Sequence, residues 1–209
     1  MITLTPVLER WSADCPFWPA EQTDFYFAVP RMPTLQQVGA VVWTLIGRSV
    51  TADDLSLTAA NAAEAIEKYL TRDDEAFAPG GLRVGSDDVV IDPGCCVGLD
   101  EWRDWLRVIG GEVIDLGHDP DALIEHRGPV VRVWKSGGQL PSGSVLDPGE
   151  PHIDISRYAL PTLLVAVQQD LVGFLDALQP WVRGIRADLA DPLAAAVDRR
   201  LQISAPLSV

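Results

Sequence analysis

The sequence predicts an α+β fold, a mixed or antiparallel sheet flanked by helices with a helical C-terminal region. Three observations carry that expectation. Short apolar or alternating runs punctuated by Gly and Pro recur between residues 80 and 155, as strands do. Two of them, Leu123–Arg127 and Val130–Lys135, are separated only by Gly128-Pro129, which reads as the turn of a meander. A stripe at helical spacing follows: Leu160, Leu164, Val167, Leu171, Phe174 and Leu178 are apolar, while Gln168, Gln169, Asp170, Asp176 and Gln179 fall largely off it.

In chain order, Ile2 to Arg10 alternates well enough for a strand, and Phe25 to Val29 is a second, aromatic-rich one stopped by Pro30. The intervening Cys15-Pro16-Phe17-Trp18-Pro19 reads as loop. Thr34 and Gln37 have capping-box spacing, so a helix is expected from there to about Gly47. A second helix, from about Thr58 to Leu70, is Ala-rich and pairs Glu64 with Lys68 one turn on; it ends in the acidic loop Asp73-Asp74-Glu75. After a turn at Pro79 to Gly81, Leu82–Val84 and Asp88–Ile91 read as strands. Leu99 to Ile109 reads as a helix with Gly110 as its left-handed cap, and Glu112–Leu116 as a further strand. Residues Ser136 to Pro151 form the longest irregular segment and the best place for a binding loop. His152–Ile155 alternates as a strand. The striped helix then starts near Pro161 and is expected to break at Pro180, with Asp191-Pro192 opening a last helix to about Leu201.

With 209 residues, 47% of them hydrophobic and 7 of them Trp, the chain can bury one sizeable core. A single domain over 1–209 is expected, with an N-terminal subregion 1–80 and a main region 81–209. Thirty acidic against 16 basic residues give a net charge of −14, which repels phosphates and anionic membrane surfaces. A basic protein partner suits that field; nucleic acid and membrane do not. The N-terminus lacks the basic and apolar regions of a secretory signal, and three cysteines make no disulfide framework, so a cytoplasmic, reduced protein is expected.

Cys95 and Cys96, in Pro-Gly-Cys-Cys just ahead of the expected helix at Leu99, invite a chemical reading, because a helix N-terminus favours a thiolate. Asp100, Glu101 and Asp104 oppose it, and unpaired cysteines are commonly inert filler. A cysteine hydrolase or acyltransferase would need a base such as His118, beside Asp119 and Asp121, or His152, which shares a strand face with Asp154. Metal binding is not expected, since adjacent thiols do not readily converge on one tetrahedral ion and no Cys-x-x-Cys or His-Glu-x-x-His spacing occurs. No cofactor motif is present. Trp102 and Trp105 belong to the core; Asp100, Glu101 and Asp104, with Asp119 and Asp121, are the expected binding residues.

Gly110-Gly111, the strands through Val130-Val131-Arg132-Val133-Trp134, and the helix containing Asp170-Leu171 and Phe174-Leu175 occur in an order that resembles the SMI1/KNR4-like (SUKH) group of bacterial immunity proteins, over about Leu99 to Trp181. The resemblance implies an acidic cytosolic protein that neutralises a toxin by binding it. An acidic protein-binding module is therefore the first expectation. A cysteine-dependent enzyme of bacterial specialised metabolism is the second, and an assembly subunit joined through its apolar C-terminal helices the third.

Overall fold

The computed structural model describes residues 1–51, 56–71, 78–119, 121–135 and 149–208. The expected acidic loop at residues 73–75 and most of the irregular segment, residues 136–148, lie outside the described residues. The fold is α+β: a four-stranded sheet, a three-stranded antiparallel sheet and helices that include a C-terminal helical region. Among the described residues no helix is long and apolar enough to cross a membrane.

The chain condenses into two compact units. One comprises Met1–Val7, Pro79–Val167 and Pro206–Val209; the other comprises Leu8–Ala78 and Gln168–Ala205. Strand β1 spans Thr3–Glu9 and helix α4 spans Leu160–Arg183. The sheet containing β1 has the order β2-β1-β3-β4, with β2 at Tyr26–Ala28, β3 at Gly80–Gly85 and β4 at Val90–Ile91. Gly80 and Gly81 thus belong to a strand rather than to the expected turn.

In the first unit, Leu99–Asp104 forms a 3-10 turn that passes into α3 (Trp105–Gly110), instead of one α-helix from Leu99. The side-chain spacing explains the difference. Leu99, Trp102 and Trp105 stand three apart, and a 3-10 turn, with three residues per turn, stacks them on one side. All three are fully buried. The helix runs one residue further than expected, so Gly111, at φ 96°, is the left-handed cap instead of Gly110. Strands β5 (Ala122–Arg127), β6 (Val130–Lys135) and β7 (His152–Ser156) pair antiparallel in that order, with Arg127 opposite Val130 across the Gly128-Pro129 turn. Val131, Val133, Ile153 and Ile155 line their buried face. Residues 112–116 are not a strand. Ile114 and Leu116 are buried and Val113 is exposed, so the alternation reports burial, but among the described residues no strand pairs with it in a ladder.

In the second unit, Thr34 caps α1 (Leu35–Val50) through the expected box: its hydroxyl accepts from the Gln37 amide at 3.2 Å, and the Gln37 side chain accepts from the Thr34 amide at 2.9 Å. Gly47 does not end this helix. A Cβ there would lie 2.6 Å from the Trp11 ring, so the glycine admits an indole against the helix backbone. Helix α2 (Ala62–Leu70) begins later than expected, because Asn61 accepts from the Glu64 amide and so provides the cap that Thr58 does not. Lys68 pairs with Glu64 at 3.2 Å. Helix α4 passes through Pro180 without breaking. Leu178 and Val182, on either side of it, are fully buried, and burying two such side chains yields about 3–6 kcal/mol, enough to offset the roughly 3 kcal/mol that an interior proline costs. Helix α5 (Ala190–Leu201) follows a 3-10 turn at Ala187–Leu189; Asp191 therefore lies inside its first turn rather than at the cap, beside Arg183.

Candidate functional site

Two turns of the first unit meet backbone to backbone at the cysteines. Gly94 donates its amide to the Leu116 carbonyl at 2.7 Å, Cys95 donates to the His118 carbonyl at 2.6 Å, and His118 donates back to the Cys95 carbonyl at 3.2 Å. Glycine is required on both sides of this bridge. A Cβ at Gly94 would lie 2.5 Å from the Gly117 carbonyl carbon and 2.7 Å from the His118 oxygen, and one at Gly117, which sits at φ 83°, would lie 2.5 Å from the Cys95 oxygen. The side chain of Asp115 accepts from the Gly117 amide at 2.8 Å and sets the second turn. Cys96 adopts φ 70° and Asp119 φ 51°, left-handed conformations uncommon outside glycine.

The left-handed residue has a direct consequence for the thiols. Consecutive side chains of an extended chain point to opposite sides. Here the sulfurs of Cys95 and Cys96 instead lie on one side, 3.3 Å apart. The imidazole of His118 joins them: Sγ of Cys95 is 3.4 Å from Nδ1 and 3.5 Å from Nε2. A carboxylate oxygen of Asp119 lies 3.4 Å from Nδ1. Cys95 is half-buried, whereas Cys96, His118 and Asp119 are exposed.

The cysteines do not sit at a helix N-terminus. They precede the 3-10 turn, and α3 starts nine residues beyond Cys96, so no helix field of useful strength is aimed at them. The distances also decide what Cys95 and His118 form. A thiol hydrogen-bonded to one ring nitrogen lies near that nitrogen's lone pair and well away from the other. With nearly equal distances, the sulfur is aligned with neither lone pair. The Asp119 contact is on Nδ1 as well, so thiol and carboxylate are not disposed on opposite nitrogens as a nucleophile, base and orienting acid would be.

The remaining residues singled out in the sequence have separate settings. His152 lies against the Trp134 ring, centroids 4.7 Å apart, and its Nδ1 is 2.8 Å from the Glu150 carbonyl; it stands outside the group in which Cys95, Cys96 and His118 converge. Asp154 is held by Arg132, which donates Nε and Nη2 to it at 2.6 and 2.7 Å. This guanidinium keeps the Asp154 carboxyl below the ordinary carboxylate range. On the 3-10 turn, Glu101 accepts from the Gly98 amide at 3.5 Å, and Asp104 lies 3.5 Å from Arg107, which also pairs with Glu112 at 2.8 Å. Part of the acidic strip is thus neutralised locally, while Asp119 is 82% exposed. Asp100 and Asp121 are half-buried. In the other unit, Cys15 borders a cleft of about 130 Å³ with Trp11 and Trp43, and burial pushes its thiol up, away from reactivity.

Sequence reasoning missed Gly94 and Gly117 as the residues that make the site. Their signal was present, a glycine immediately before Cys95 and another immediately before His118. No protein-family model, curated protein or solved structure matches the chain.

Proposed function

We propose that the protein works by binding a basic protein partner, as an immunity or inhibitor protein does, through the face of the first unit around Asp119. Asp100, Glu101, Asp104 and Asp121 would shape the surrounding field, and no substrate would be turned over. The observation that carries this choice over catalysis is the near-equal distance of the Cys95 sulfur from both His118 nitrogens, which takes His118 out of line as the base for a Cys95 nucleophile. The net charge of −14 and the exposed Asp119 carboxylate favour a basic surface opposite. The resemblance over Leu99 to Trp181 favours the same class, with the reduced bacterial cytoplasm as the place of action.

The closeness of Cys95 to His118 gives a cysteine hydrolase or acyltransferase its one specific support, and the two functions separate cleanly by experiment. A variant carrying Asp100→Lys, Glu101→Lys, Asp104→Lys and Asp119→Lys should lose the partners that the native protein captures at low salt from the lysate of its source bacterium. Equal recovery by both proteins would reject the acidic face. Alkylation of native protein by iodoacetamide should be slow well below about pH 8.5, the ordinary range of a cysteine thiol. Rapid modification of Cys95 there would reverse the choice in favour of an enzyme.

A further inference from the structure

We propose that Cys95, Cys96 and His118 form a zinc site with one open coordination position, independent of any protein partner. The donor atoms of these three residues all lie within 4.8 Å of one another. Zinc bound tetrahedrally, with Zn–S near 2.3 Å and Zn–N near 2.0–2.1 Å, requires its ligand atoms to stand about 3.8 Å apart for two sulfurs and about 3.6 Å for sulfur and nitrogen. The corresponding separations are 3.3 Å between the sulfurs and 3.4 or 3.5 Å between Cys95 and the ring. The sulfurs need to part by about half an ångström and the exposed imidazole to turn so that one ring nitrogen faces the ion, with every donor atom already within 4.8 Å of the others.

The geometry removes the objection that adjacent thiols cannot share an ion. That objection assumes an extended backbone, and Cys96 at φ 70° is not extended. Asp119 supplies the partner that metal-bound histidines ordinarily have: a carboxylate that accepts from Nδ1–H leaves the Nε2 lone pair to the metal. On binding, each thiol releases its proton to solvent, so two thiolates neutralise the dication and the imidazole enters neutral. Water fills the fourth position. The half-exposed setting admits the ion without opening the fold. Because the ligands come from two turns fixed to each other by backbone hydrogen bonds, the backbone of the site is preformed.

Cobalt and zinc titrations of the reduced full-length protein test this. One equivalent of cobalt per chain should produce thiolate charge-transfer absorption with tetrahedral ligand-field bands, and zinc should displace it. Cys96→Ser and His118→Ala should each weaken binding at least about tenfold, with far-UV circular dichroism unchanged, while Cys15→Ser should bind as the native protein does. Without any substitution, zinc should slow alkylation of Cys95 and Cys96 but not of Cys15. Less than half an equivalent bound, a smaller than tenfold effect of either substitution, or alkylation indifferent to zinc would each overturn the site. None of these outcomes depends on the proposed partner.

Discussion

Replacing Gly94 by alanine should unravel the bridge that creates the thiol and imidazole turn. The new methyl would sit against backbone, at the amide and carbonyl of His118 and the carbonyl carbon of Gly117, where no side chain can rotate aside. Relief requires the two turns to separate, which lengthens or breaks the hydrogen bonds of Gly94, Cys95 and His118. At about 0.5–1.5 kcal/mol each, with local strain added, the loss comes to roughly 2 to 4 kcal/mol. For a chain of this size that is a fall in Tm of roughly 5 to 15 °C. Gly110→Ala is the matched control, since a methyl there meets nothing within 4 Å and the residue ends a helix that favours alanine; its effect should be a gain of up to about 1 kcal/mol. Urea unfolding followed by far-UV circular dichroism and tryptophan fluorescence, with thermal melts beside it, measures both. If Gly94→Ala lies within about 0.5 kcal/mol of the native protein, the steric account of the site is wrong.

The uninterrupted α4 predicts that Pro180→Ala stabilises the protein by about 1 to 2 kcal/mol: the residue is exposed, and alanine restores an amide to the helix ladder. A loss of stability would mean that the ring is needed where it stands. The Arg132 and Asp154 pair predicts a pH dependence. The folded-state pKa of Asp154 lies below the unfolded value of about 4, so its contribution is complete above that value and disappears as pH falls through it toward the folded one. The stability difference between the native protein and Asp154→Asn should therefore be largest near neutrality and shrink by about pH 3, and a difference constant across that range would mean that the pair contributes nothing.

Where a feature depended on neighbours in sequence, it could be read there. The Thr34 and Gln37 box, the meander at Gly128-Pro129, the α4 stripe and the buried Trp102 and Trp105 are all set by spacings within a few turns. Local signals misled where a residue answered to a distant one. Gly47 reads as a stop until Trp11 is laid against it, and Pro180 reads as a break until the burial of Val182 is weighed. The alternation of 112–116 is real, but pairing needs a partner strand, and what Leu116 meets is the single amide of Gly94. Nothing local shows that Gln168–Ala205 rejoins Leu8–Ala78 in one compact unit. At the site, the sequence marked Cys95, Cys96 and His118 singly; their convergence depends on backbone conformation at Cys96 and on two glycines 23 residues apart.

The indole seated on Gly47 also restricts how this chain can change. A side chain at 47 would collide with Trp11, and a smaller residue at 11 would leave a void over the bare helix backbone. Gly39 and Trp18 stand in the same relation, with a Cβ at 39 falling 2.9 Å from the indole and 2.6 Å from the Pro19 carbonyl. Trp11 and Gly47 are a single unit of volume divided between two positions, so neither is free to drift alone, whereas at 39 the Pro19 carbonyl forbids a side chain whatever stands at 18. Descendants of this sequence can enlarge position 47 only in a lineage that has already reduced position 11, and that lineage passes through the void the smaller residue leaves.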